Sequence, residues 1–182
     1  IRSLGEATGP ILVHGPRGTG KDRVARAIHA CSPRRQGPLA LVAPGDAAPA
    51  LLAAHGGTLV VSAEGELSSL FQRLLLRVLE EHLLCVEGTG DCPLDARVMV
   101  LLREDPLAAV AAGRLLPELV ERASLVIRLP ALEERPHEVL ALFEEVISGE
   151  AARRGRRAPE LSLGALEALL AHSWPGNERE LH

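Results

Sequence analysis

Gly15-Pro-Arg-Gly-Thr-Gly-Lys21, followed by Asp22, carries the strongest chemical signal in the chain. The spacing is G-x-x-x-x-G-K, a phosphate-loop pattern. Gly15, Gly18 and Gly20 allow the backbone to turn its N–H groups inward around phosphate oxygens, with Pro16, Arg17 and Thr19 between them. Lys21 reaches the β and γ phosphates. It is the one lysine of the chain, against 19 arginines, and a compact ammonium on a flexible stem fits a tight phosphate cradle as a planar guanidinium does not. Asp22 stands where the general motif has Ser or Thr to hold magnesium, so one metal ligand is missing from the generic pattern.

Such a loop works only between a strand that delivers it and a helix whose N-terminus adds positive potential. Both are legible. Pro10-Ile-Leu-Val-His14 is a short apolar run, and Val24, Ala25 and Ile28 follow at helical spacing across residues 22–30. Further apolar runs at 39–42, 57–62, 97–102 and 124–129 read as buried strands, separated by a turn-rich stretch at 43–49 and an amphipathic helix at 67–82. Strands alternating with helices imply a parallel sheet covered on both faces, an α/β fold. After Pro130 the pattern is helical only, at 136–148, at 162–172 and from Asn177 onward. Residues 149–159, with Arg153, Arg154, Arg156 and Arg157, read as a solvated interhelical loop.

At 182 residues the chain can bury one sizeable core with a small appendage. It has two Phe, one Trp and no Tyr, which argues against a base-stacking surface for single-stranded nucleic acid. A formal net charge of -4 gives no global attraction to nucleic acid or to an anionic membrane. Cys31, Cys85 and Cys92 show no metal spacing and read as buried or idle thiols of a protein in a reducing cytoplasm. No run is long and apolar enough to span a membrane. The chain opens on Ile1 and stops at His182 within a helix start, as expected of a piece of a longer protein. His14 could be mistaken for a catalytic base, but no nucleophile with an orienting carboxylate accompanies it. Glu87-Gly-Thr-Gly90, between Cys85 and Cys92, reads as a loop, Asn177 as the N-cap of the last helix, and Trp174 as the anchor of a small helical core.

These segments, taken in order, resemble the AAA+ ATPase domain of sigma-54-dependent transcriptional activators, whose loop typically reads G-E-S-G-T-G-K-E. The resemblance rests on Asp22 after the lysine, Val24-Ala-Arg-Ala-Ile-His29, Gly56-Gly-Thr-Leu59, Gly65-Glu-Leu67, Leu75-Leu-Arg-Val-Leu79, Asp95-Ala-Arg-Val98, Arg128-Leu-Pro130 and Trp174-Pro-Gly-Asn177 with Arg179-Glu-Leu181. It implies an AAA+ α/β nucleotide-binding subdomain over residues 1–130 and a truncated helical lid over 131–182. It also implies ATP or ADP as the ligand. Arg179 matches the lid arginine that reaches nucleotide, and Arg122 the second of two intersubunit arginines.

The departures from the family lie elsewhere. The strand after Gly-Gly-Thr ends in Asp-Glu in the family, the carboxylates for magnesium and for the attacking water; here the positions hold Ser62 and Ala63. The Thr-Asn pair that senses γ-phosphate falls on Leu102 and Arg103, and the first intersubunit arginine on Leu116. No counterpart of the sigma-contacting G-A-F-T-G-A loop exists, and the chain is about two dozen residues shorter between Pro44 and Gly56 than the family pattern. The expected protein is therefore a nucleotide-binding regulatory module of a bacterial transcription regulator, with magnesium weakly held and weak or no hydrolysis. Direct sigma-54 contact is not expected. A homo-oligomer and a partner protein both stay open, and DNA would be reached only through domains outside this segment. Two alternatives stand beside this reading: a nucleotide-free interaction scaffold, and an ATPase that uses another carboxylate such as Glu64 or Glu66.

Overall fold

A computed structural model describes residues 9–45, 48–63, 65–86, 88 and 90–181. The chain divides into two compact units. The described residues of Ile1–Gly15 and Lys21–Arg128 form the first, and those of Pro16–Gly20 and Leu129–His182 the second.

The first unit is built on a five-stranded sheet in the order β2-β3-β6-β1-β7, from β1 (Ile11–His14), β2 (Leu39–Val42), β3 (Thr58–Ala63), β6 (Arg97–Leu102) and β7 (Leu125–Arg128). Every pairing is parallel. The three inner strands bury nearly every residue, while β2 and β7 at the edges are only partly covered. That is why the inner strands read as unbroken apolar runs: a parallel strand between two helical layers has no solvent face. The expected α/β fold with a parallel sheet is the one observed.

Helix α1 (Lys21–Ala30) follows β1, a short α2 (Ala48–Leu52) follows β2, and α3 (Ser69–Glu81) follows β3. Ser68 caps α3 by accepting from the Phe71 N–H at 3.2 Å, and His82 closes it at φ 55, with its N–H on the Val78 carbonyl. Two brief helices, α4 (Pro106–Ala111) and α5 (Pro117–Glu121), connect β6 to β7. Gln72, buried in α3, donates to the Leu67 and Arg114 carbonyls at 2.7 and 2.9 Å and accepts from the Leu116 N–H at 2.7 Å. All of its amide valences used here are satisfied, so it pins the α4–α5 connection to α3 without the cost of an orphaned buried dipole.

The second unit gathers α6 (Pro136–Arg153), α7 (Leu163–Ala171) and α8 (Glu178–Leu181) around Leu132, Val139, Trp174 and Leu181. Trp174 is in that core as expected, with its indole N–H donated to the Leu169 carbonyl at 2.9 Å.

Several local expectations are corrected. The expected loop at Glu87-Gly-Thr-Gly90 is flanked by strands that the sequence did not announce, β4 (Leu83–Val86) and β5 (Gly90–Pro93), which pair antiparallel. Helix α6 runs on to Arg153, where Glu150 accepts from both Arg153 and Arg154, so the arginine-rich stretch begins inside a helix. None of the three cysteines is buried: Cys31 and Cys85 are exposed and Cys92 is half-buried. Asn177 is not an N-cap. It sits at φ 53, and its side chain bridges two other segments.

Candidate functional site

In the first unit, β1 ends at His14 and the chain turns at Gly15, whose N–H donates to the Leu102 carbonyl at 3.2 Å. Lys21 opens α1. It is 4% exposed, and its ammonium donates to the Gly15 carbonyl at 2.8 Å. Gly15 and Lys21 are thus brought together through the lysine head group. Asp22 lies exposed in the first turn of α1, where its charge favours the positive end of the helix.

Register sets what stands beside the end of β1. His14 pairs with Leu102 of β6, and Leu102 pairs with Ala63 of β3, so His14, Leu102 and Ala63 form one row at the C-terminal edge of the sheet. Such an edge is where ligands meet open α/β sheets. Ala63 and Leu102 are 4% and 5% exposed, and Ser62 is half-buried. A cavity of about 220 Å³ opens beside them, its wall including Glu66, Arg103, Glu104 and Arg114. Glu104 accepts two hydrogen bonds from Arg114, at 2.7 and 2.5 Å, which holds its carboxyl below the ordinary range. Glu64 lies outside the described residues.

His14 is itself buried, with Nε2 3.8 Å from the Asp105 carboxylate. Loss of hydration pushes its pKa down, with Asp105 opposing and Arg128 reinforcing the shift. Arg122 is paired with Glu80 and half-exposed. Magnesium prefers carboxylate and hydroxyl oxygens in near-octahedral array. Ser62 and Ala63 offer no carboxylate and Asp22 is turned to solvent, so these residues do not fit a dedicated magnesium site.

In the second unit, Pro16–Gly20 is clasped by the residues that follow Trp174. Thr19 Oγ1 donates to the Pro16 carbonyl at 2.9 Å and tightens the segment on itself. Asn177 Nδ2 donates to the Arg17 carbonyl at 2.9 Å, and its Oδ1 accepts from the Leu132 N–H at 2.7 Å. The Arg179 N–H donates to the Gly18 carbonyl at 3.3 Å. Gly18 sits at φ 76, and a Cβ there would fall 2.1 Å from the Gly176 carbonyl oxygen. Only glycine permits both the backbone and the approach. Gly20, at φ 81, faces Glu178, which pairs with Arg135 at 2.8 Å. Arg179 is brought to the loop segment by its backbone, while its exposed side chain extends to solvent.

The backbone contact of Arg179 with Gly18 and the clasp around Pro16–Gly20 are features of the folded chain that sequence reasoning did not describe. Asn177 was legible only as a cap, because its partner Arg17 lies 160 positions away in sequence, and Glu178 was not singled out.

The family model described as the Sigma-54 interaction domain matches residues 1–54, and the one described as the AAA+ ATPase lid domain matches residues 133–182. The C4-dicarboxylate transport transcriptional regulatory protein DctD of Pseudomonas aeruginosa is 32% identical over 207 residues, covering 100% of this chain and 45% of DctD. Crystal structures of NtrX from Brucella abortus are similar to the chain at 30% identity. The complex with ADP superimposes at a TM-score of 0.89, covering 99% of this chain and 45% of NtrX, and the complex with ATP at 0.87, covering 98% and 44%. The chain thus spans about half the length of the relatives it matches. Among the described residues, no helix is long and apolar enough to cross a membrane.

Proposed function

Since the chain belongs to the AAA+ domains of sigma-54-dependent transcription regulators, we propose that it is a nucleotide-binding regulatory module that holds ATP or ADP and hydrolyses it weakly or not at all. Residues 1–130 would be the nucleotide-binding α/β subdomain and 131–182 its lid. The observation that carries this reading is a contrast of chemistry: the glycines of the loop adopt the positive-φ conformations a phosphate cradle needs, while the end of β3 offers Ser62 and Ala63. The NtrX relatives in complex with ADP and ATP support nucleotide as the ligand class.

Each residue has a defined part. Backbone N–H groups after Gly15, Gly18 and Gly20 receive phosphate oxygens, and the N-terminus of α1 adds its dipole. Lys21 exchanges its bond to the Gly15 carbonyl for one to phosphate. Arg179 approaches the outer phosphates. Arg122, paired with Glu80, would act only in a homo-oligomer, after that pair opens. Bound magnesium would supply charge neutralisation, but its usual carboxylate anchor is absent from the end of β3, and the attacking water has no carboxylate there to polarise it.

The test is calorimetric titration of ADP and ATP into the wild-type chain and Lys21→Ala, with ATP turnover measured alongside. Binding is expected to weaken at least about tenfold in the variant, with turnover near background in both. Equal and negligible binding in the two proteins removes this reading.

A further inference from the structure

Two carbonyls of the phosphate-loop segment are drawn to one wall of the second unit. The Arg17 carbonyl accepts from Asn177 Nδ2 at 2.9 Å, and the Gly18 carbonyl accepts from the Arg179 N–H at 3.3 Å. Among the described residues no peptide bond is cis, and in a planar trans peptide the N–H points opposite to the C=O. The Gly18 and Thr19 N–H groups share those two peptide units, so both face away from residues 177–179. Gly18 turns the chain between them at φ 76, the left-handed step from which a nest of successive amides is made for an anion. Asn177 is in turn fixed from behind: it is 3% exposed, and its Oδ1 accepts from the Leu132 N–H at 2.7 Å. Leu132 belongs to the core that Val139, Trp174 and Leu181 complete. A single side-chain amide thus ties the direction of the loop's N–H groups to the helical core.

We infer that Asn177 is a positioning residue for phosphate, presetting the direction of the Gly18 and Thr19 N–H groups before a ligand arrives. The inference rests on the phosphate-binding role proposed for the loop and adds to it the residue that holds the loop ready. Binding then starts from an ordered loop, so little affinity is lost to ordering it. Without the clamp the competent loop is only a fraction of the population, and the apparent Kd rises by the inverse of that fraction. The two amides meet phosphate oxygens that a nucleotide shares with a bare polyphosphate, so both ligands lose the same factor. Linkage makes the effect reciprocal: bound phosphate holds the loop and so tightens the clasp.

Dissociation constants for ADP and for inorganic tripolyphosphate are measured by calorimetry on wild type, Lys21→Ala, Asn177→Gly and Val139→Ala, at a temperature where circular dichroism shows each protein folded. Glycine accepts the backbone of position 177 at φ 53 without strain and removes both side-chain bonds. Val139→Ala loosens the same core from α6. Asn177→Gly is expected to weaken both probes about tenfold and by the same factor, and Val139→Ala to change them less than about twofold.

Equal weakening in Asn177→Gly and Val139→Ala would make Asn177 a core residue only and overturn the inference. Wild-type affinity in Asn177→Gly, with binding lost in Lys21→Ala, overturns it too and leaves the loop reading standing. Absence of binding in wild type removes both. A second measurement needs no variant: amide hydrogen exchange at Arg179, whose N–H closes the clasp on Gly18, is expected to slow at least about fivefold when wild type is saturated with ADP. Unchanged exchange at Arg179 in protein that binds ADP would show that loop and clasp are not coupled.

Discussion

The phosphate loop and the C-terminal edge of β3 and β6 are made of different materials. The loop draws its chemistry from backbone N–H groups, glycine conformations and one lysine, whereas the edge would draw its chemistry from the side chains at Ser62, Ala63, Leu102 and Arg103. A backbone device is tied to its surroundings: altering Gly18 means moving Gly176. A side-chain device at a strand end is not. Ala63 and Leu102 continue the apolar interior of the sheet, so carboxylates can be absent there while the fold stays intact. In the proposed reading, binding and hydrolysis are separable, the first resting on backbone packing and the second on exchangeable side chains.

The contrast is broken most severely at Gly18. Valine there would place Cβ 2.1 Å from the Gly176 oxygen and 3.1 Å from Arg179 Cβ, at a backbone φ of 76 that β-branched residues avoid. Denaturant unfolding of Gly18→Val is expected to show a loss of more than about 3 kcal/mol, accompanied by loss of nucleotide binding. Gly45→Ala is the matched control. Its φ is 102 but nothing lies within 4 Å, so only backbone strain of about 1–2 kcal/mol is expected. A Gly18→Val protein that binds nucleotide normally would show that the clasp does not shape the loop.

Asn177 comes next. It is 3% exposed, and truncation removes its hydrogen bonds to the Arg17 carbonyl and from the Leu132 N–H. Asn177→Ala is expected to cost about 2–3 kcal/mol in unfolding free energy, with faster hydrogen exchange at the Leu132 amide. Asparagine also tolerates the left-handed conformation observed here, which alanine does less well. Unchanged exchange at Leu132 would show that the bridge is dispensable.

What could be read from sequence divides along the same line. The bounds of β2 and β6 were legible to the residue: β6 is a fully buried parallel strand and reads as a continuous apolar run, and β2, only partly covered at the sheet edge, is apolar throughout. Gly15 to Lys21 stood out in the sequence because its motif is a local spacing, and the phosphate-binding role given to it is the proposal made above. The hairpin at 83–93 was hidden: Gly90-Asp-Cys-Pro93 has little strand propensity and is extended only because Leu83–Val86 pairs with it. Helices α4 and α5, of six and five residues, are too short to show a period. The roles of Asn177 and Glu178 depend on contacts that only the folded chain makes, and Asn followed by an apolar-spaced segment looks the same whether it caps a helix or clasps a loop.

The other half of the contrast is sharpened by adding the side chains back. Ser62→Asp with Ala63→Glu is expected to raise ATP turnover about tenfold, a gain of about 1.4 kcal/mol in barrier, because the cavity beside Ala63 has room for a longer side chain and Arg103 and Arg114 on its wall to receive one. Promoter activation in a sigma-54-dependent reporter is expected to stay at background, since the chain has no counterpart of the G-A-F-T-G-A loop. Turnover that fails to rise would place the deficit at Leu102 and Arg103, not at β3. Activation in the reporter would mean that another surface performs the sigma contact.

The smallest expected effect concerns His14, which ends β1 beside Leu102 and so adjoins both the loop and the edge. Burial lowers its pKa from the ordinary 6.5, with Asp105 only partly opposing. A lowered histidine pKa means that the unfolded chain binds the proton more readily than the folded one, so stability is complete above about 6.5 and falls as pH drops through that value toward the folded pKa. His29, buried against Thr58 and lowered by the same loss of hydration, contributes with the same sign. His14→Gln is therefore expected to flatten the acid side of a profile of melting temperature against pH without removing the slope due to His29. An unchanged profile would mean that Asp105 and the ring stabilise the imidazolium as fully as water does, and that the end of β1 is wetter than its packing implies.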